Sequence, residues 1–113
     1  MDIPEETKEK VTQLQTMEQN LHSFHTQKQT FQTQLLEIDN ALKELDTADG
    51  PVYKIVGTVM LASKKETLKK DLEDRKNTLN IRIQSLEKQE TAIRNKAEKL
   101  QAEVIKEMEK KVK

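Results

Sequence analysis

Residues 50–64 read GPVYKIVGTVMLASK. Both glycines of the chain, Gly50 and Gly57, lie in this stretch, together with Pro51, one of only two prolines. Tyr53-Lys54-Ile55-Val56 and Val59-Met60-Leu61-Ala62 are runs of β-formers on either side of Gly57-Thr58. A glycine at the first of two central positions marks a type II′ turn, whose twist suits paired right-twisted strands. Residues 52–62 are therefore predicted to form a β-hairpin. Gly57 is required there because its position needs positive φ, which a Cβ penalises.

On both sides of this island the chain is built for helices. Pro4 and the carboxylates Glu5 and Glu6 mark a helix start, the acids placed where the helix dipole favours them. A heptad then runs Leu14, Met17, Leu21, Phe24, Lys28, Phe31, Leu35, Ile38, Leu42, Leu45, in steps of three and four without a fault. Nine of these ten positions are apolar, and Lys28 alone breaks the seam. A strict seam of this length indicates a coiled coil, not the broader stripe of a globular surface helix. Gly50 and Pro51 stop the helix, which is expected over residues 4–48 and roughly 65 Å long.

The second helix is expected over residues 64–112, roughly 70 Å, since no Gly or Pro follows Pro51. Ser63-Lys64-Lys65-Glu66 matches a capping box, with Ser63 as the cap. Its seam reads Leu72, Lys76, Leu79, Ile83, Leu86, Glu90, Ile93, Ala97, Leu100, Val104, with eight of ten positions apolar. Two matching seams joined by a short link fold back as an antiparallel hairpin of helices. Pairing Leu42 with Leu72 puts Leu14 near Leu100, and Lys28 near Leu86 and about one turn from Glu90. A buried polar pair of that kind fixes register at some cost in stability.

Composition agrees with this frame. The chain has 113 residues, 35% charged, 34% hydrophobic and 3% aromatic, without Trp, too thin a supply for a compact globular core. It is read as one domain, residues 1–113. Without cysteine there is neither a disulfide framework nor a cysteine metal site. No apolar run approaches membrane-spanning length and the first residues are not a signal peptide, so a cytoplasmic location is expected. Formal net charge is zero, but residues 1–49 carry −6 and residues 50–113 carry +6. A basic second half suits nucleic acid, yet its cations alternate with acids and form no clean stripe, which favours two halves whose fields offset.

The β-hairpin cannot stand alone. Two short strands are marginal in water, and both edges would expose unpaired backbone groups beside Val, Ile, Met and Leu. The single seam of the helices is already used. Pairing with hairpins of other chains into a shared sheet or barrel removes the edges. Val52, Tyr53, Ile55, Val56, Gly57, Val59, Met60 and Leu61 are accordingly the expected assembly residues. An apolar loop without strands would instead invite aggregation.

The stretch VYKIVGTVMLAS at 52–63, between two long heptad helices, resembles the β class of prefoldin subunits in its Val52-Tyr53-Lys54, its Val56-Gly57 and the apolar run that follows. A single hairpin fits that class, since α-class subunits carry two. The resemblance implies a mainly α chain whose hairpin joins an oligomeric β-barrel platform. It implies a hexamer of two α and four β subunits of archaeal type. It also implies an ATP-independent holdase that grips unfolded polypeptides at coiled-coil tips and delivers them to a group II chaperonin. In that architecture the tips are the chain termini, at the far end from the hairpin.

The terminal residues suit such a role. Helix 1 opens with Ile3, Val11, Leu14 and Met17, and helix 2 closes with Val104, Ile105, Met108 and Val112. Val11 and Ile105 fall off the seam and Met108 lies one position past a seam site, so they are expected to be partly exposed. Apolar groups beside mobile Met can hold varied apolar segments. The blander reading makes these residues the last seam layers. His22 and His25, three apart, could share a metal, but solvated helix-face histidines are the better reading and no metal or cofactor is expected. No nucleophile–base pattern and no phosphate-cradling loop occurs, so no enzyme is expected. The competing functions are a coiled-coil spacer or adaptor gripping one defined partner, and a nucleic-acid-binding arm.

Overall fold

The computed structural model describes residues 3–112, with side chains through Lys110. Helix α1 spans Glu5–Thr47, strands β1 and β2 span Val52–Val56 and Val59–Ser63, and helix α2 spans Lys65–Val112. The fold is thus mainly α, two long helices with one short antiparallel β-hairpin between them. At the start of α1 the Pro4 carbonyl accepts from the Lys8 amide at 3.0 Å, and Glu5 and Glu6 occupy the first turn. At its end the Ala48 amide donates to the Leu45 carbonyl at 3.3 Å, tightening the last turn before Gly50 turns the chain at φ +95°.

The hairpin has the predicted register. Val56 faces Val59 across the turn, and the ladder continues through Ile55–Met60, Lys54–Leu61 and Tyr53–Ala62 to Val52–Ser63. Gly57 has φ +62°, while no non-glycine among the described residues has positive φ. Positive φ at the first central position alone fits type II′ and excludes type I′, which needs it at both. A Cβ at Gly57 would meet nothing within 4 Å beyond its chain neighbours, so the requirement lies in the backbone itself.

The capping box did not form. Ser63 is the last residue of β2, paired with Val52, and Lys64 takes the cap position, its carbonyl accepting from the Leu68 amide at 3.0 Å. The final rung of the ladder holds Ser63 in the strand, one residue too early to cap α2.

The chain divides into two compact units, residues 1–28 with 85–113, and residues 29–84. In the first, the terminal unit, Leu14, Met17, Leu21 and Phe24 of α1 are half-buried, as are Ile93, Ala97, Leu100 and Val104 of α2, with Leu86 and Glu90 buried. In the second, the hairpin unit, Phe31, Leu35, Ile38, Leu42 and Leu72 are half-buried and Leu45, Leu79 and Ile83 are buried. The Arg82 guanidinium lies 5.8 Å from the centre of the Phe31 ring, a cation–π contact beside that seam. Lys65 of α2 donates to the Asp46 and Ala48 carbonyls at 3.3 and 3.5 Å, supplying the cation that the last turn of α1 lacks.

The polar seam positions find partners. In the terminal unit Lys28 Nζ donates to Glu90 Oε2 at 3.1 Å, and Arg94 Nη2 contacts Glu90 Oε1 at 3.2 Å. The Lys28 and Glu90 side chains are only 19% and 11% exposed. The Lys28 hydrogen bond outweighs burial and holds the Glu90 carboxyl below its usual range. In the hairpin unit Lys76 pairs with Asp39 at 2.8 Å, but both side chains are more than a third exposed, a setting in which ion pairs contribute about 0–1 kcal/mol.

Two measurements test these assignments. Gly57→Ala is expected to destabilise the hairpin by about 1–2 kcal/mol through the left-handed backbone alone. It should read as lost amide-exchange protection in residues 52–63 with the helices unaffected; an unaltered pattern would contradict the turn assignment. Lys28→Leu removes the largely buried partner of Glu90, leaving its carboxylate only the exposed Arg94, and is expected to lower stability in denaturant melts by about 1–3 kcal/mol. The double variant Lys28→Leu/Glu90→Leu is expected to recover that loss or exceed wild type. Equal melts for the single variant and wild type would mean that the pair contributes nothing.

Candidate functional site

Among the described residues, exposed apolar side chains gather in two places, one in each unit, with Leu36 and Ile81 exposed singly besides. In the hairpin unit Tyr53, Val56, Val59, Met60 and Leu61 are all at least half exposed, and Ile55 reaches 68%. Residues opposite each other in an antiparallel ladder share a face. Tyr53, Ile55, Met60 and Ala62 therefore form one face, and every one of them is exposed. Val52, Lys54 and Ser63 are half-buried and lie on the other face, together with exposed Val56, Val59 and Leu61. The sheet has two strands, so the outer edge of each is unpaired among the described residues. All eight hairpin residues singled out from the sequence lie in this one element.

In the terminal unit the expected site residues divide. Val11, Ile105 and Met108 are exposed, at 37%, 51% and 36%. Leu14, Met17 and Val104 are half-buried seam residues, and Ile3 is half-buried ahead of α1. Val112 ends α2, but its side chain lies outside the described residues. Val11 and Met108 each follow a seam position, Lys10 and Glu107, so both fall on the same flank of an antiparallel pair.

Sequence reasoning missed what closes the seam between them. Thr7, the most deeply buried residue described at 1% exposed, donates its hydroxyl to Glu107 Oε2 at 2.6 Å. Lys10 donates to the other oxygen, Glu107 Oε1, and its Nζ lies 3.4 Å from Glu103. Carrying the heptad backward from Leu14 reaches Lys10 and Thr7, and carrying it forward from Val104 reaches Glu107. The periodicity held the signal, but a search for apolar positions stops where the seam turns polar. The arrangement is a hydrogen-bonded clasp in the end layers, flanked by exposed apolar groups. It offers no nucleophile activated by a base. His22 and His25 are exposed, and among the described residues no three His, Cys, Asp or Glu side chains are grouped as metal ligands.

The clasp has an electrostatic signature. The Lys10 hydrogen bond, then that of Thr7, holds the Glu107 carboxyl below its usual range, against the opposing effect of burial. The hydrogen bond to Glu107 in turn raises the Lys10 ammonium. A depressed carboxyl stabilises the closed clasp above its unfolded value near 4.5, and that contribution is lost as pH falls through the lower folded value. The raised ammonium contributes below its ordinary value of 10.5 and is lost as pH rises through the higher folded one. Followed by carboxyl carbon NMR, Glu107 is expected to titrate with a midpoint below 4.5, and Lys10→Met to move it upward. An unshifted midpoint in wild type would mean that the clasp is open in solution.

Comparison with known proteins places this geometry in a family. The profile described as "Prefoldin subunit" matches residues 8–111. A prefoldin subunit beta of Sulfurisphaera tokodaii is 36% identical over 104 residues, covering 90% of this chain and 83% of the relative. One of Archaeoglobus fulgidus is 36% identical over 97 residues, covering 84% of each. The crystal structure of the prefoldin beta subunit from Thermococcus strain KS-1 superposes with a TM-score of 0.83 at 32% identity, over 91% of this chain and 92% of that one. Two long helices joined by one β-hairpin are thus a fold shared with a prefoldin beta subunit, and the chain belongs to the prefoldin family of chaperone subunits.

Proposed function

We propose that this chain is a β-class subunit of a cytoplasmic hexamer of two α and four β subunits, which holds unfolded polypeptides without ATP or catalysis and delivers them to a group II chaperonin. The observation that carries the reading is the coexistence, in one chain of this family, of an uncovered apolar hairpin and separate exposed apolar groups beside both chain ends. The hairpin has the chemistry of an assembly element, because strands of other subunits satisfy its edges and cover the face of Tyr53, Ile55 and Met60. Val11, Ile105 and Met108 have the chemistry of a weak, unspecific grip, with Met adapting to varied side chains. Each grip is slight, and joining several on one assembly raises the avidity without new contacts. No helix among the described residues is long and apolar enough to cross a membrane.

The test is aggregation suppression by the subunit assembled with a prefoldin α subunit. Val11→Ser/Ile105→Ser/Met108→Ser is expected to leave the mass of the assembly unchanged. Suppression of a thermally unfolding test protein should fall about tenfold or more, since several weakened grips multiply. Undiminished suppression would remove these residues from the client site. A monomer that stays monomeric with the α subunit would overturn the assembly reading.

A further inference from the structure

One part of the terminal unit has a surface unlike the rest. Residues 12–27 of α1 carry a single charged side chain, Glu18, whereas residues 87–102 of α2, a window of the same length, carry seven. Their exposed positions are instead Gln, Asn, Thr, Ser and His. In this segment a groove of about 340 Å³ opens between the two helices. Half-buried Met17 and Ile93 contribute its apolar surface, while exposed Thr12, Gln13, Thr16 and Asn20 are its uncharged polar walls, with Lys96 the single cation at the rim. Gln13 and Asn20 immediately precede seam positions, so the groove follows the flank opposite to Val11 and Met108.

The hydrogen-bonding state of the walls narrows the occupant. Thr12 and Thr16 donate their hydroxyls to the Lys8 and Thr12 carbonyls at 3.0 and 3.2 Å, and so present methyl groups and acceptor lone pairs. Gln13 and Asn20 have no hydrogen-bond partner among the described residues, so each offers an amide donor and an amide acceptor. That pairing matches a peptide group, which needs one of each. A folded protein has already paired its peptide groups internally, and nucleic acid would demand cations. Sheet edges apart, an extended unfolded segment is what presents free N–H and C=O groups together with apolar side chains. The volume is at the lower end of the roughly 300–1,000 Å³ of small-ligand pockets, room for a side chain or two and not for a folded surface.

We propose that the groove between Gln13, Asn20, Met17 and Ile93 is a second client surface, which binds the main chain of an extended unfolded polypeptide through neutral amides while Met17 and Ile93 take an apolar side chain. This rests on the reading of the chain as a holder of unfolded polypeptide. It adds a contact that tolerates any client sequence, because every residue but proline brings the same peptide group.

The test uses the assembled complex and a fluorescein-labelled, permanently unfolded polypeptide, with affinity read by anisotropy. Gln13→Glu/Asn20→Glu and Gln13→Lys/Asn20→Lys each place charges at the groove. Asn95→Glu/Gln101→Glu adds the same charge to exposed positions of α2 outside it. Both groove variants are expected to bind about tenfold more weakly and the α2 control as wild type, with helicity unchanged in all. Weakening by one sign of charge only, or by the control equally, would assign the effect to long-range repulsion and overturn the groove. Equal affinity of wild type and groove variants would overturn it too, leaving the holdase reading intact. If the wild-type complex does not bind the polypeptide at all, that underlying reading fails and the groove with it.

Discussion

A seam one stripe wide on each helix is the main apolar burial the chain achieves. Among the described residues only Leu45, Leu79, Ile83 and Leu86 are hydrophobic and buried, and the other hydrophobic seam positions are half-covered. Full burial of such a side chain contributes roughly 1.5–3 kcal/mol, and half-burial less. With so little to draw on, every polar layer within the seam carries weight. Lys28 with Glu90, and Thr7 with Lys10 and Glu107, occupy layers that leucine could have filled. What these layers contribute is direction: a leucine accepts many neighbours, whereas a carboxylate at a seam position is satisfied by few.

The same scarcity leaves the hairpin bare. A globular protein would lay a helix over Tyr53, Ile55 and Met60, but both helices turn their apolar stripes towards each other. The exposed face is therefore a consequence of how α1 and α2 satisfy one another. Val11 and Met108 are exposed for a related reason: they flank a layer already closed by hydrogen bonds.

Much of this was legible in the sequence because it is written in periods. The heptad from Leu14 to Leu45 and that from Leu72 to Val104 named the covered residues, and the register drawn from Leu42 and Leu72 anticipated the meeting of Lys28 and Glu90. Gly57 gave the turn because few other residues suit its backbone. The clasp was harder to read, since Thr7, Lys10 and Glu107 match no apolar template and declare themselves only when the period is carried past its last hydrophobic member. Ser63 misled for a related reason. A capping box is a local pattern, and the pairing of Ser63 with Val52 is decided by the hairpin. The groove along residues 12–20 was not read from the sequence at all, because it depends on Ile93 lying beside Met17, which only tertiary structure supplies.

Lys65 gives the hairpin a further property. Its ammonium holds the Asp46 and Ala48 carbonyls, and Lys69 holds the Asp46 carboxylate at 3.3 Å. The segment from Ala48 to Lys65 is thus a loop stitched shut at its base, with both stems of the ladder anchored to helix ends. Much of the conformational entropy that strand addition would otherwise remove has already been lost in folding. In the proposed assembly, a strand docking at either edge would meet an ordered template, and the ordering still to be lost would be largely its own.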